Sequence, residues 1–224
     1  MDQELLLKEA LNDLAIRYAY SKDEKIKFKD LKAEELTEKL NLNTNDIDKK
    51  ESDRLIAKKL TLDEMVEDYI RFNEKAMVIH IGCGLDTMKS RIKSLKTKWY
   101  YLDCPIVADK RKELFPDEEI FSKTLLDEAW TDEIKQGKVS CLVILENTSM
   151  HLKPEEITKL FKLLGRKYEN VTIFIESVSK KAMKKNPSYL QAIKAKGFVK
   201  LDKDFDYVKH MNGSYGMKIG RAHV

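Results

Sequence analysis

The sequence predicts an α/β fold: a parallel sheet covered by helices on both faces, behind a helical segment at the N-terminus. Three observations carry that prediction. Short runs that are apolar on both faces, such as Cys141-Leu142-Val143-Ile144-Leu145 and Val171-Thr172-Ile173-Phe174-Ile175, alternate with helix-like stretches. A glycine pair, Gly82-Cys83-Gly84, directly follows the first apolar run. An acidic residue, Asp103, ends the next run, 19 residues after Gly84.

The elements follow in order. Leu6, Leu7, Ala10, Leu11, Leu14, Ala15 and Tyr18 recur at helical spacing, which predicts a helix over 3–20. A second short helix is predicted over 31–40. The polar run from Asn41 to Lys50 is a loop, and 52–73 is helical again. Within it Thr61 and Glu64 form a capping box, at which the helix is expected to restart. Nothing before residue 74 has a strand pattern. Met77–Ile81 is the first predicted strand, followed by a helix-like stretch over 86–95. A strand over 99–102, a helix over 105–114 and strands near 119–122, 141–145 and 171–176 come next. A helix opened by Pro154, at a tolerated first-turn position, joins the last two strands. The expected sheet order is 3-2-1-4-5. It reverses between the first and fourth strands, and ligands bind at the carboxyl ends beside that switch point. The chain thus divides into a helical cap that shapes the acceptor pocket (1–74), a Rossmann-like sheet domain (75–218) and a tail (219–224).

Bulk composition narrows the function. The 42 basic and 38 acidic residues nearly cancel, and the net charge of +4 forms no basic stripe, so nucleic acid is not an expected partner. The densest basic run, Lys180, Lys181, Lys184 and Lys185, is a solvated helix face. Cys83, Cys104 and Cys141 have no CxxC or Cys/His spacing, so no metal site is expected and a reducing cytoplasm is the simplest home. No apolar run approaches the roughly 20 residues of a membrane span.

The glycine pair carries the chemistry. Glycines at a strand end let the backbone turn tightly and let a ligand approach without a Cβ in the way. An acid at the end of the next strand hydrogen-bonds ribose hydroxyls in doubly wound sheets. A dinucleotide enzyme usually has Gly or Ala at the sixth position of GxGxxG. Here that position is Thr87, preceded by Asp86. This favours the nucleoside sulfonium S-adenosylmethionine over a nicotinamide cofactor.

Four motifs in order then carry a resemblance. Val78 to Thr87 with Arg91 is similar to a strand followed by G-C/A-G-L-D-T-R-x-x-R, with Met88 in place of the first arginine. Trp99 to Pro105 is similar to W-Y-D-L-D-x-P, and Val107, Lys110, Arg111 and Phe115 continue it. Ser122 through Trp130 is similar to S-x-x-x-D-x-x-W, and Val143-Ile144-Leu145-Glu146 with Met150 to I-A-E-G-L-L-M-Y-L. Upstream, Arg17, Asp30 and Ala57-Lys58 fit the arginine-bearing cap. Over roughly residues 10–178 the chain resembles the leucine carboxyl methyltransferase family and its bacterial, polyketide-type O-methyltransferase branch.

The resemblance implies a class I methyltransferase that uses S-adenosylmethionine, with a small-molecule carboxylate or hydroxyl as acceptor. It implies Gly82, Cys83 and Gly84 beneath the methionine portion of the cofactor, Asp103 on the ribose and Asp127 near the adenine amine. Glu146 would line the cofactor and the active-site mouth. Lys58 would neutralise the cofactor carboxylate in place of arginine, without arginine's planar fork. Arg17 would share that task or meet an acidic substrate. Two departures stand at the fourth strand: Asn147 replaces glycine, and Met150-His151-Leu152 replaces M-Y-L. His151 is the one candidate general base, for a hydroxyl acceptor. The competing expectations are a non-catalytic S-adenosylmethionine-binding protein and a nicotinamide-dependent oxidoreductase.

The C-terminus is expected to depart from the pattern. After Ile175 strand candidates are few, so the antiparallel pair that closes such sheets is expected to be missing or incomplete. Ile219-Gly220-Arg221-Ala222-His223-Val224 is also what a common sequencing-adapter read encodes, so these residues are expected to be non-native. A stop codon directly after the Val224 codon in independent reads would sink that idea.

Overall fold

The computed structural model describes residues 2–45, 47–92, 94, 96–148, 152–176 and 218–222. Three helices precede the sheet: α1 (Gln3–Lys22), α2 (Leu31–Lys39) and α3 (Lys49–Phe72). Each starts after an aspartate whose side chain accepts from a free first-turn amide: Asp2 from Glu4, Asp30 from Ala33 and Asp48 from Glu51. α3 runs without interruption, against the expected restart at Thr61. The Thr61 hydroxyl donates to the Ala57 carbonyl at 2.9 Å, one turn back, so it is satisfied inside the helix and caps nothing.

The strands are β1 (Met77–Ile81), β2 (Lys98–Asp103), β3 (Glu119–Ser122), β4 (Cys141–Leu145) and β5 (Val171–Glu176). All pair in parallel, in the order β3-β2-β1-β4-β5. This is the predicted order, with its reversal between β1 and β4. The connecting helices are α4 (Met88–Arg91), α5 (Pro105–Leu114), α6 (Ala129–Glu133) and α7 (Pro154–Lys167). Two differ from expectation. The stretch over 86–95 yields only the single turn α4, because Ile92 is extended. At five residues, α6 is too short to leave a periodic signal. A further strand, β6 (Lys218–Ala222), pairs in parallel with β5, from Thr172 opposite Lys218 to Glu176 opposite Ala222. The sequence alone predicts no strand there. The pairing satisfies backbone groups that the β5 edge would otherwise leave open.

Each sheet face has its own core. On one, Trp130, Ile157, Leu160, Phe161 and Leu164 of α6 and α7 pack on Ile79, Ile81, Val143 and Ile173. On the other, Leu62, Val66 and Ile70 of α3 pack with Met88 and Ala108 on Val78, Tyr101, Leu142 and Ile144. The second half of α3 is therefore a sheet-covering helix, although it lies in the segment expected to be a cap. A third cluster joins Leu14 of α1, Ala33 and Leu36 of α2, Leu85 after β1, and Leu114 and Phe115 at the end of α5. This last packing sets α1 against the carboxyl end of β1. Among the described residues no helix is long and apolar enough to cross a membrane.

Candidate functional site

The turn after β1 and the end of β2 form one unit. Gly82 and Gly84 have φ of 65° and 53°, the left-handed region that glycine adopts without a steric cost. The Gly82 amide donates to the Leu102 carbonyl at 2.8 Å. The Asp103 carboxylate accepts the Gly84 amide on one oxygen and the Cys104 amide on the other, both at 2.8 Å. The Cys83 thiol donates to the first oxygen at 3.8 Å. Burial pushes the Asp103 carboxyl above the usual carboxylate value, against the pull of the two amides. Arg111 braces the turn from below. It donates to the Gly84 carbonyl at 3.0 Å, pairs with Glu118 at 2.6 Å and lies 3.9 Å over the Tyr101 ring.

The loop after β4 closes on the same turn. Thr148 Oγ1 lies 3.1 Å from the Ile81 carbonyl and 2.8 Å from the Glu146 carbonyl, and it fills the space where a Gly82 side chain would begin. Glu146 is buried and held by two lysines of α3: Lys59 at 2.7 Å and Lys58 at 3.3 Å. Burial pushes the Glu146 carboxyl up, but Lys59 and Lys58 together bring it down to about 2. Lys59 also meets Asp86 at 2.5 Å. Arg91 joins Asp86 (3.4 Å), Asp63 (2.6 Å) and Asp30 (2.8 Å). Arg17 donates to the Leu85 carbonyl at 2.7 Å and pairs with Asp30 at 3.3 Å. One buried ion cluster thus ties α1, α2 and α3 to the loops after β1 and β4.

The predicted residues are distributed unevenly over this arrangement. Gly82, Cys83, Gly84 and Asp103 lie together. Glu146 and Lys58 lie beside them but pair with each other, and Lys58 also meets Asn147 at 2.9 Å and Glu176 at 3.2 Å. The cation expected to await a ligand carboxylate is therefore already partnered. Arg17 is buried behind Leu85, so its charge meets Asp30 rather than solvent. Asp127 stands apart: it is exposed, and it accepts the Ala129 amide at 3.0 Å at the start of α6. His151 lies outside the described residues, as do Lys180, Lys181, Lys184 and Lys185. Among the described residues no group of three or more His, Cys, Asp or Glu side chains could hold a metal ion.

Sequence reasoning missed Lys59, yet a signal existed. Leu55, Lys59, Leu62, Val66 and Ile70 follow one helical stripe, and the other four are apolar and buried. A lysine on a buried stripe must find carboxylates, and the candidates were Asp86 and Glu146 of the motifs.

Acid sensitivity follows from the same region. His80, in the middle of β1, is buried, and burial lowers its imidazole to about 4. Its unfolded value lies near 6.5. Below that, the unfolded chain takes a proton that the folded chain refuses. Stability should therefore fall between pH 6.5 and 4, with a slope of up to about 1.4 kcal/mol per pH unit. Glu146 adds a second loss, from its unfolded value near 4.5 down to about 2. Asp63 and Asp103, raised by burial, act in the opposite direction in the carboxylate range. Urea midpoints at pH 7.5, 6, 5 and 4, compared with a His80→Leu protein, isolate the imidazole. A slope unchanged by that substitution would refute the assignment.

No protein-family model matches the chain. It is 23% identical over 121 residues to the tetracenomycin polyketide synthesis O-methyltransferase TcmP of Streptomyces glaucescens, which covers 52% of this chain and 44% of TcmP. The match thus spans less than half of that curated relative. A solved structure from Thermobifida fusca YX, described as a "putative methyltransferase", superposes with a TM-score of 0.51 at 14% identity, over 82% of this chain and 73% of that one. The two share a fold, a parallel sheet with helices on both faces.

Proposed function

We propose that the chain is an S-adenosylmethionine-dependent O-methyltransferase whose acceptor is a carboxylate or hydroxyl of a small molecule. The observation that carries this reading is the Gly82–Gly84 turn bonded to Asp103 at the switch point of the sheet, with the Glu146 loop closing its other side. The similarity to TcmP supports the same chemistry.

The residues fit such a cofactor. Each Asp103 oxygen accepts one backbone amide and keeps acceptor capacity for a ribose hydroxyl. When bound, S-adenosylmethionine supplies a methyl group already activated by its sulfonium. Alignment is then the protein's main contribution. Gly84 presents bare backbone toward Ala10 of α1, while Thr148 occupies the Gly82 side of the turn. A carboxylate acceptor needs no general base. A hydroxyl acceptor does, and His151 is the candidate.

Calorimetry with S-adenosylhomocysteine, followed by a methyl-transfer screen over carboxylates and phenols, tests the reading. No binding would remove it, and binding without turnover across the panel would favour a non-catalytic binding protein. Asp103→Ala should weaken S-adenosylhomocysteine by about tenfold to a hundredfold, the loss of one charge-assisted hydrogen bond. It should also lower the ligand-free melting temperature, because two amides lose their acceptor. Unchanged affinity in the folded variant would exclude Asp103 as the ribose anchor.

A further inference from the structure

Among the described residues, Asp13 is a carboxylate beside the site with no direct partner. It lies on α1 between Ala10, 3.5 Å from where a side chain on Gly84 would begin, and Arg17, 2.7 Å from the Leu85 carbonyl. Residues three and four apart share a helix face, so Ala10, Asp13 and Arg17 all face the turn after β1. The side chain is half-buried there. Lys59, Lys58 and Arg17 are the cations that act on it, and Glu146 is the anion. Yet among the described residues no hydrogen bond and no ion pair within 4.0 Å reaches its carboxylate. Asp30, Asp63, Asp86 and Glu146, the other acids of the cluster, each touch at least one cation.

Asp13 thus lies on the α1 face that packs on the glycine turn, under the influence of Lys58, Lys59 and Arg17 but in contact with none of them. Burial pushes the Asp13 carboxyl up, which shows the cost of leaving it without a close partner. Lys58 and Lys59 are already paired with carboxylates, so the partner that Asp13 lacks is a cation from outside the cluster, and the ammonium of an amino acid is one. We propose that Asp13 receives the α-ammonium of the amino-acid end of S-adenosylmethionine. This rests on the cofactor reading above and adds to it a residue on the helical segment, outside the sheet motifs.

The test compares two ligands on two proteins by calorimetry. The ligands are S-adenosylhomocysteine and its desamino analogue, which keeps the nucleoside, sulfur and carboxylate but carries hydrogen in place of the ammonium. The proteins are the wild type and Asp13→Asn. The wild type should bind the analogue about tenfold to a hundredfold more weakly, the range for a lost charge-assisted hydrogen bond. Asp13→Asn should lose a similar factor for S-adenosylhomocysteine and bind the analogue as the wild type does. Equal losses for both ligands would overturn the proposal, because Asp13 would then only hold α1 in place. Equal wild-type affinity for the two ligands, or unchanged affinity in Asp13→Asn, would overturn it too while leaving the cofactor reading standing. A wild type that binds neither ligand would remove both.

Discussion

Replacing Lys59 with methionine should destabilise the protein by about 3–5 kcal/mol, the range for removing one partner of a buried ion pair. Methionine keeps most of the lysine's length and fills the same stripe between Leu55 and Leu62, so packing changes little. The loss is electrostatic. The Lys59 ammonium meets Asp86 at 2.5 Å and Glu146 at 2.7 Å, and all three groups are buried. Arg91 still reaches Asp86 at 3.4 Å and Lys58 still reaches Glu146 at 3.3 Å, which points to the lower end of the range. Urea unfolding at pH 7 gives the measurement. Lys22→Met serves as control: that side chain is about half exposed and pairs with Glu34 and Glu38 at the surface, so its loss should be far smaller. A Lys59→Met/Glu146→Gln double variant should recover part of the loss, since one stranded charge is gone. A loss in Lys59→Met no larger than the control's would show that the cluster is solvated in solution.

Gly82→Ala should cost about 2–4 kcal/mol, and the cause can be divided experimentally. A φ of 65° costs an alanine about 1–2 kcal/mol whatever surrounds it. The rest comes from Thr148, whose Oγ1 would lie 2.0 Å from the new Cβ and would have to leave its contacts with the Ile81 and Glu146 carbonyls. Gly137 supplies the reference: its φ is 66°, and nothing lies within 4 Å of its added Cβ. Gly137→Ala should therefore show the backbone cost alone. In a Thr148→Ala background, the cost of Gly82→Ala should fall toward that of Gly137→Ala. If it does not, Thr148 is not the neighbour that excludes a side chain there.

Particular residues show why some of this was legible in the sequence and some was not. β1, β4 and β5 announce themselves because both of their faces are apolar, which only a doubly covered sheet requires. The glycine turn is legible because positive φ at two positions nearly forces the residue type. Asp103 follows from its spacing, although spacing does not reveal that its oxygens hold the Gly84 and Cys104 amides. The sequence offers Lys58 for a cofactor carboxylate and Arg17 for that carboxylate or an acidic substrate, because it lists charged side chains without saying which already face each other. Glu176 is 118 positions from Lys58, and Asp86 is 27 from Lys59. Pairings across such separations are set by the topology of the sheet, which local pattern does not encode. Asp127 is the converse: its spacing to Trp130 matches the motif, yet the side chain caps a short exposed turn.

The ion cluster also has a schedule. Lys59 and Glu146 are 87 positions apart. At a synthesis rate of about 5–20 residues per second, Glu146 is added roughly 4–17 s after Lys59. Through that interval the lysine on the stripe of α3 lacks one of its two carboxylates, and β4, on which that stripe packs, does not yet exist. The α3 stripe and its lysine therefore meet their full set of partners only once the fourth strand has been made.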